Sequence, residues 1–161
     1  MTLRPDLVDA WIFRLVDGRP QVLMLRRSAV KVLSGLWQGV SGRVERDESV
    51  VDAVLREVRE ETGIGPDAIE GLYSLDFVAS FLWEPVDAVM SSVHFGIRVA
   101  SGIEPVLSEE HDRYRWLTID EAIAASVWPA YREAITRVRD CLLDPAREPW
   151  FRIPPAKAAV D

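Results

Sequence analysis

Cysteine is almost absent from this 161-residue sequence, where Cys141 stands alone. No intrachain disulfide can form, and a reducing, cytoplasmic address is expected. Cys141 itself falls near the end of a helical pattern and reads as apolar filler rather than as a nucleophile. No apolar run approaches the roughly 18 residues of a membrane span. The N-terminus MTLRPDLVDA lacks a basic region followed by an apolar one, so neither membrane insertion nor secretion is signalled. Basic charge is short as well. The net charge of −7 argues against a nucleic-acid partner held on a basic face. It does not exclude a small anionic substrate whose charge is met by metal ions. Repeats and low-complexity tracts are also missing.

What is present is ordinary for one soluble domain: 48% hydrophobic and 28% charged residues, in a chain long enough to bury a core. Leu7 to Leu25 reads as two strands around an Asp17-Gly18 turn. Leu33 to Gln38 reads as a loop, and Gly39 to Val44 as a short strand. From Ser49 to Thr62 the apolar residues recur every three or four positions. A helix follows, with Asp47 as its expected N-cap and Gly63 as its stop. Leu72–Phe81 and Val93–Ala100 read as strands joined by a connecting segment, Trp83–Ser92, and Arg113–Leu117 as a shorter strand. Thr118 and Glu121 form a capping-box pair at the start of one late helix. Pro129 opens a second helix that runs to Leu143. Residues 1–144 are expected to form one domain, and the proline-containing stretch 145–161 an extended or disordered tail. The implied class is α/β: a mixed sheet with helices packed outside.

The helix from Ser49 to Thr62 poses a physical problem. At about 100° per residue, Glu61 lies about 40° to one side of Glu57 and Glu60 about 60° to the other. The three acids therefore share one face beside the buried stripe of Val51, Val54 and Val58, with Glu57 and Glu61 nearer the buried border than Glu60. Glu57 and Glu61 repel across one turn, and all three sit toward the helix C-terminus, where the macrodipole disfavours negative charge. A solvated face selected for stability would carry lysine or arginine there. A hard divalent cation removes the conflict, since Mg²⁺ accepts carboxylate oxygens while keeping waters and substrate phosphates.

The spacing is specific. Gly42, five residues, Glu48, seven residues, Arg56-Glu57-Val58, one residue, Glu60-Glu61, one residue, Gly63-Ile64 matches every position of the Nudix box. Each fixed residue is about a one-in-fifteen event at average usage, so the match is far beyond coincidence. From Leu7 to Leu143 the chain resembles a complete Nudix domain. That resemblance implies an α/β/α Nudix sandwich and hydrolysis of a nucleoside diphosphate linked to another group. Carried over, Glu57, Glu60 and Glu61 are the expected metal carboxylates and the Gly42 carbonyl completes their shell. Arg56 and Glu48 hold the carboxylates and loop in place. The expected cofactor is Mg²⁺, with Mn²⁺ as the alternative. The general base is left open among Glu57, Glu61 and a loop acid.

Three further stretches, VLMLRR (Val22–Arg27), LWQGVSGRVE (Leu36–Glu45) and SEEHDRYRWL (Ser108–Leu117), are similar to the branch of bacterial dATP or dihydroneopterin-triphosphate pyrophosphohydrolases. In that branch Glu110 is the expected further metal ligand, with Glu109 behind it. Arg4, Arg26 or Arg27, Ser41 and Ser126 are the expected substrate contacts, and Trp83 is the candidate stacking aromatic. Trp37 and Trp116 read as core, and His111 as a hydrogen-bonding structural residue. One departure is the lack of lysine and arginine from Phe77 to Ser92, which weakens the case for a pterin triphosphate. The leading reading is a pyrophosphohydrolase of a nucleoside or pterin triphosphate. The alternatives are hydrolysis of ADP-ribose or a dinucleoside polyphosphate, and a non-catalytic nucleotide-sensing module. A homodimer is compatible with all of these.

Overall fold

A computed structural model describes residues 2–155 of the chain. The strands β1 (Leu7–Val16) and β2 (Arg19–Arg27) form the expected hairpin, whose turn holds Asp17 and Gly18 at φ of 51° and 76°. β1 is the hub. It runs antiparallel to β2 at its C-terminal end and antiparallel to β4 (Val40–Arg43) at its N-terminal end. On its other edge it runs parallel to β6 (Ala88–Val99) from Leu7 opposite Ser92 to Phe13 opposite Arg98. β3 (Trp37–Gln38) and β7 (His111–Leu117) pair with β2, and β5 (Ile69–Trp83) closes the other side against β6. The sheet is therefore mixed and has seven strands.

Val8 to Arg14 are all buried, as a strand covered on both faces requires. One face, with Val8, Ala10 and Ile12, packs on α1 (Val50–Thr62) through Ala53, Val54 and Val58. The other, with Trp11 and Phe13, packs on α2 (Ile119–Ala125) and α3 (Pro129–Arg137) through Ala122, Ala134 and Ile135. The result is an α/β/α sandwich. Trp37 packs against the second cluster and Trp116 against the first, as their reading as core anticipated. No helix among the described residues is long and apolar enough to cross a membrane.

Four local expectations change. The N-cap of α1 is Ser49, not Asp47: its hydroxyl accepts from the Asp52 amide at 3.0 Å. The helix begins at Val50, which leaves Asp47 too far upstream to reach those amides. Trp37–Gln38, expected in a loop, joins the sheet against Leu25 and Arg26. The connecting segment Trp83–Ser92 shrinks to a tight turn around Glu84–Val86, because Phe81↔Met90, Leu82↔Val89 and Trp83↔Ala88 continue the β5–β6 ladder. Trp83 is thus a strand residue. Finally, the stretch after residue 144 is not simply extended. A short helix, α4 (Glu148–Phe151), packs on β5, Ile153 donates to the Leu72 carbonyl at 2.8 Å, and Arg152 bridges to Tyr73. Residues 156–161 of the expected tail lie outside the described residues. At the other late helix, α3 continues through a wide π-helical turn at Val138–Leu142 that leaves Cys141 half-buried beside the second core cluster.

Candidate active site

Gly63 ends α1 in the left-handed region at φ 70°, its amide donating to the Arg59 carbonyl. That stop brings the last turn, with Glu57, Glu60 and Glu61, to the rim where β4 and the loop before β7 meet. Three backbone links tie the region together. Val106 donates to the Thr62 carbonyl at 2.8 Å, Ser108 to the Glu61 carbonyl at 3.4 Å, and Ser28 to the Glu110 carbonyl at 2.9 Å.

Arg56 organises the acids. Its guanidinium grips Glu48 with Nε and Nη2 at 3.0 and 2.6 Å. Nη1 donates to Glu57 at 2.7 Å and Glu60 at 3.2 Å, and Nη2 also reaches the Arg43 carbonyl at 2.9 Å. Such a fork suits arginine and no other side chain. The Arg56 contact, helped by the Glu45 amide, lowers the Glu48 pKa to about 2, and the same ion pair holds the Arg56 pKa above its usual range. Gly42 lacks a side chain for a steric reason: a Cβ there would overlap the carboxylate of Glu57.

The three acids differ in depth as their angles predict. Glu60 is 59% exposed, Glu57 13% and Glu61 3% by side chain. Burial raises the Glu57 pKa, against the pull of Arg56. Glu61 is the extreme case. Burial first, then repulsion from Glu110 and Glu57, pushes its pKa up to about 9, and neither of its oxygens has a hydrogen-bond partner. A buried carboxylate without a donor is costly, and a cation is the ligand that would satisfy it. Among the described residues no three acidic, His or Cys side chains converge into a ready-made cation cage. The set fits an open site in which waters and substrate phosphates complete the shell, which is how Mg²⁺ is usually held.

The other expected site residues divide. Glu110, half-buried on the loop before β7, acts electrostatically on both Glu57 and Glu61. Ser41 sits opposite Asp9 on β4, and its backbone amide, near Glu61 but outside hydrogen-bond geometry, opposes the rise of the Glu61 pKa. Of the two arginines ending β2, Arg26 is paired with Asp112 at 2.8 Å, whereas the charge of Arg27 bears on Glu61 and its Nε donates to the Val32 carbonyl at 2.7 Å. Arg4 donates to the backbone carbonyls of Glu45 and Glu48, and so braces the loop of the box. Ser126 is buried and donates to the Ala122 carbonyl at 2.8 Å, within α2. Trp83 is not brought among the acids. It pairs with Ala88, four residues beyond the Ser92 that faces the start of β1, or about 13 Å along the strand.

Behind the rim lies a buried polar row absent from the sequence-based candidates. Trp11 Nε1 donates to His94 Nδ1 at 3.0 Å, His94 Nε2 lies 3.8 Å from Asp9, and Ser92 donates to Asp9. Tyr131 stacks edge-on against Trp11, and burial raises its hydroxyl pKa. His111 is buried with Nε2 2.9 Å from the Gln38 amide nitrogen, so its hydrogen-bonding role stands, but its Nδ1 faces Glu61 at 3.8 Å. His94 and His111 are the only two histidines in the chain. The sequence reading singles out His111 alone, and the rarity of histidine is the one signal that flags His94.

Fold and site together define an α/β/α sandwich with a cluster of acids at the rim of its sheet. Residues 6–138 match the model of the NUDIX domain. The chain belongs to this family, whose hydrolases act on pyrophosphate bonds and generally use divalent metal ions. The CTP pyrophosphohydrolase of Escherichia coli K12 is 32% identical over 125 residues, which are 78% of this chain and 84% of that protein. An octanoyltransferase from Myxococcus xanthus is 29% identical over 126 residues; these are 76% of this chain but only 34% of that protein, so the chain spans about a third of its length. Among solved structures, the dihydroneopterin triphosphate pyrophosphohydrolase of E. coli superposes with a TM-score of 0.70 at 26% identity, over 83% of this chain and 94% of the other.

Proposed function

We propose that the protein is a Mg²⁺-dependent pyrophosphohydrolase that converts a nucleoside or pterin triphosphate to its monophosphate and pyrophosphate. The observation that carries this reading is Glu61, a buried carboxylate with two unpartnered oxygens beside Glu57 and within the field of Glu110. A divalent ion bound there would neutralise phosphate charge and acidify a bound water. The residues supply the rest. Glu57, Glu60 and Glu61, with the Gly42 carbonyl and Glu110, hold the charge-neutralising centre, while Arg56 and Glu48 fix the direction of the carboxylates. Arg27, whose charge already reaches Glu61, and Ser41 on β4 face the phosphate chain. Arg4 supports the binding loop from behind through its two carbonyl contacts. Ser126 closes the end of α2 through its bond to the Ala122 carbonyl, and Trp83, away from the acids on the β5–β6 hairpin, is left for a part of the substrate beyond the phosphates. A carboxylate raised by burial, as Glu57 and Glu61 are, is a suitable acceptor for the proton of the attacking water.

The similarity to a protein named CTP pyrophosphohydrolase and to the dihydroneopterin triphosphate enzyme supports a triphosphate substrate. The test is a panel of dNTPs, NTPs, dihydroneopterin triphosphate, ADP-ribose and dinucleoside polyphosphates with Mg²⁺, counting pyrophosphate and orthophosphate separately. Pyrophosphate from a triphosphate is expected. AMP plus a sugar phosphate from ADP-ribose as the best reaction would overturn the substrate class. Glu61→Gln should lower turnover by a factor of about 10² or more, as loss of a metal ligand or base does; wild-type turnover in that variant would remove the catalytic reading.

A further inference from the structure

His111 opens β7 with its side chain fully buried, and each ring nitrogen meets a different residue. Nε2 lies 2.9 Å from the side-chain nitrogen of Gln38 on β3. An amide nitrogen can only donate, so Nε2 accepts, and the proton of the neutral ring resides on Nδ1. Nδ1 has no hydrogen-bond partner, and it lies 3.8 Å from Oε2 of Glu61, whose two oxygens also have none. Three buried, unpartnered polar atoms thus share one corner, where such groups are rare. The donor and acceptor are complementary and about 1 Å beyond hydrogen-bond length. Both residues are fixed by their backbones as well. The Ser108 amide is bound to the Glu61 carbonyl, and the His111 amide to the Ser108 carbonyl, each at 3.4 Å.

We propose that His111, aligned by Gln38, is a positioning residue for Glu61. Its Nδ1–H engages Oε2 when the carboxylate turns to bind the cation, and Oε1 is left for the metal side. This rests on the reading of Glu61 as a metal ligand given above. The arrangement explains why a histidine rather than an aliphatic residue lies under the acids: the Gln38 contact selects the tautomer that donates toward Glu61.

Two amide substitutions separate the two ring nitrogens. Asparagine places its NH₂ near the position of Nδ1, and glutamine near that of Nε2. Metal affinity is measured by titration calorimetry of Mg²⁺ or Mn²⁺ into substrate-free protein, beside kcat and KM for the best triphosphate and the thermal unfolding midpoint. His111→Gln should weaken metal binding about 10–100-fold, the usual effect of losing a group that orients a ligand. It should lower kcat while leaving KM for the nucleotide nearly unchanged. His111→Asn, which keeps a donor toward Glu61, should recover most of the affinity. On a Glu61→Gln background, His111→Gln should add no further loss. Equal metal binding in wild type and His111→Gln would overturn the proposal, and so would equal losses in both amide variants, which would mark a packing role only. If Glu61→Gln alone bound metal like wild type, the Glu61 reading itself would fall. If Glu61→Gln lost binding and His111→Gln did not, only the role of His111 would.

Discussion

The carboxylate of Glu57 occupies the space that a side chain on Gly42 would need. The glycine that opens the motif and the first acid of its Glu-rich end are therefore one steric unit, although fifteen positions apart in the sequence. Gly42→Ala should displace Glu57 and, through the 2.7 Å contact, disturb Arg56. We expect a drop in kcat of at least about tenfold, since a misaligned ligand acts as a weakened one. The stability cost should be small by comparison, because the clashing carboxylate is the free end of a flexible side chain that can turn aside. Steady-state kinetics and urea unfolding check both, and an alanine variant with full turnover would show that Glu57 needs no such fit.

Arg56 joins Glu48, Glu57, Glu60 and the Arg43 carbonyl through one planar group. Lysine keeps the charge but cannot present that fork. Arg56→Lys should raise the Mg²⁺ concentration for half-maximal activity about 10–100-fold. The measurement is a metal titration at saturating substrate, and an unchanged midpoint would assign Arg56 a charge-balancing role alone.

The acidic helix was legible because its pattern is local. Helical angle and fixed spacing place Glu57, Glu60 and Glu61 in the order of exposure the structure displays, and the Thr118–Glu121 capping box forms as its four residues dictate. What required the third dimension was pairing. Pro85 looked like the middle of a long connection, but the ladder through Trp83↔Ala88 depends on two strands meeting, which neither strand alone reveals. The pairing of Arg26 with Asp112 likewise depends on a residue of another strand. The approach of His111 to Glu61 joins β7 to α1 and has no counterpart in local pattern. The docking of α4 on β5 through Tyr73, Glu148 and Arg152 is of the same kind.

His94 predicts an acid limit to stability. It is buried among Trp11, Phe77 and Asp9, and burial lowers its pKa below the usual 6.5, with Asp9 opposing. The unfolded chain therefore binds this proton more readily than the folded one. The stability that His94 contributes is full above pH 6.5 and is lost as pH falls below it. His94→Gln can still accept from Trp11 but does not titrate. Relative to wild type it should show a smaller loss of urea midpoint between pH 7 and pH 5. Parallel curves for the two proteins would mean that the fold leaves the His94 pKa unshifted.

Glu61 has the opposite sign, and it sets function against stability. Its pKa is raised by burial to about 9 from an ordinary 4.5, so the folded state holds the proton that the unfolded state releases. Without metal, stability should fall by about 1.4 kcal/mol per pH unit as pH rises from about 5 toward 9. Glu61→Gln is close in shape and carries no charge, so it escapes this loss. In chelator-treated protein at pH 8 the variant should melt above wild type, and the gap should close toward pH 5. Added Mg²⁺ should restore the wild type by binding its folded form and do little for the variant. The order of melting temperatures should therefore narrow or reverse in excess metal, while the variant stays inactive. A wild type that melts above Glu61→Gln at pH 8 without metal would show that the carboxylate finds a donor in the fold, and the case for a cation at this site would lose its physical basis.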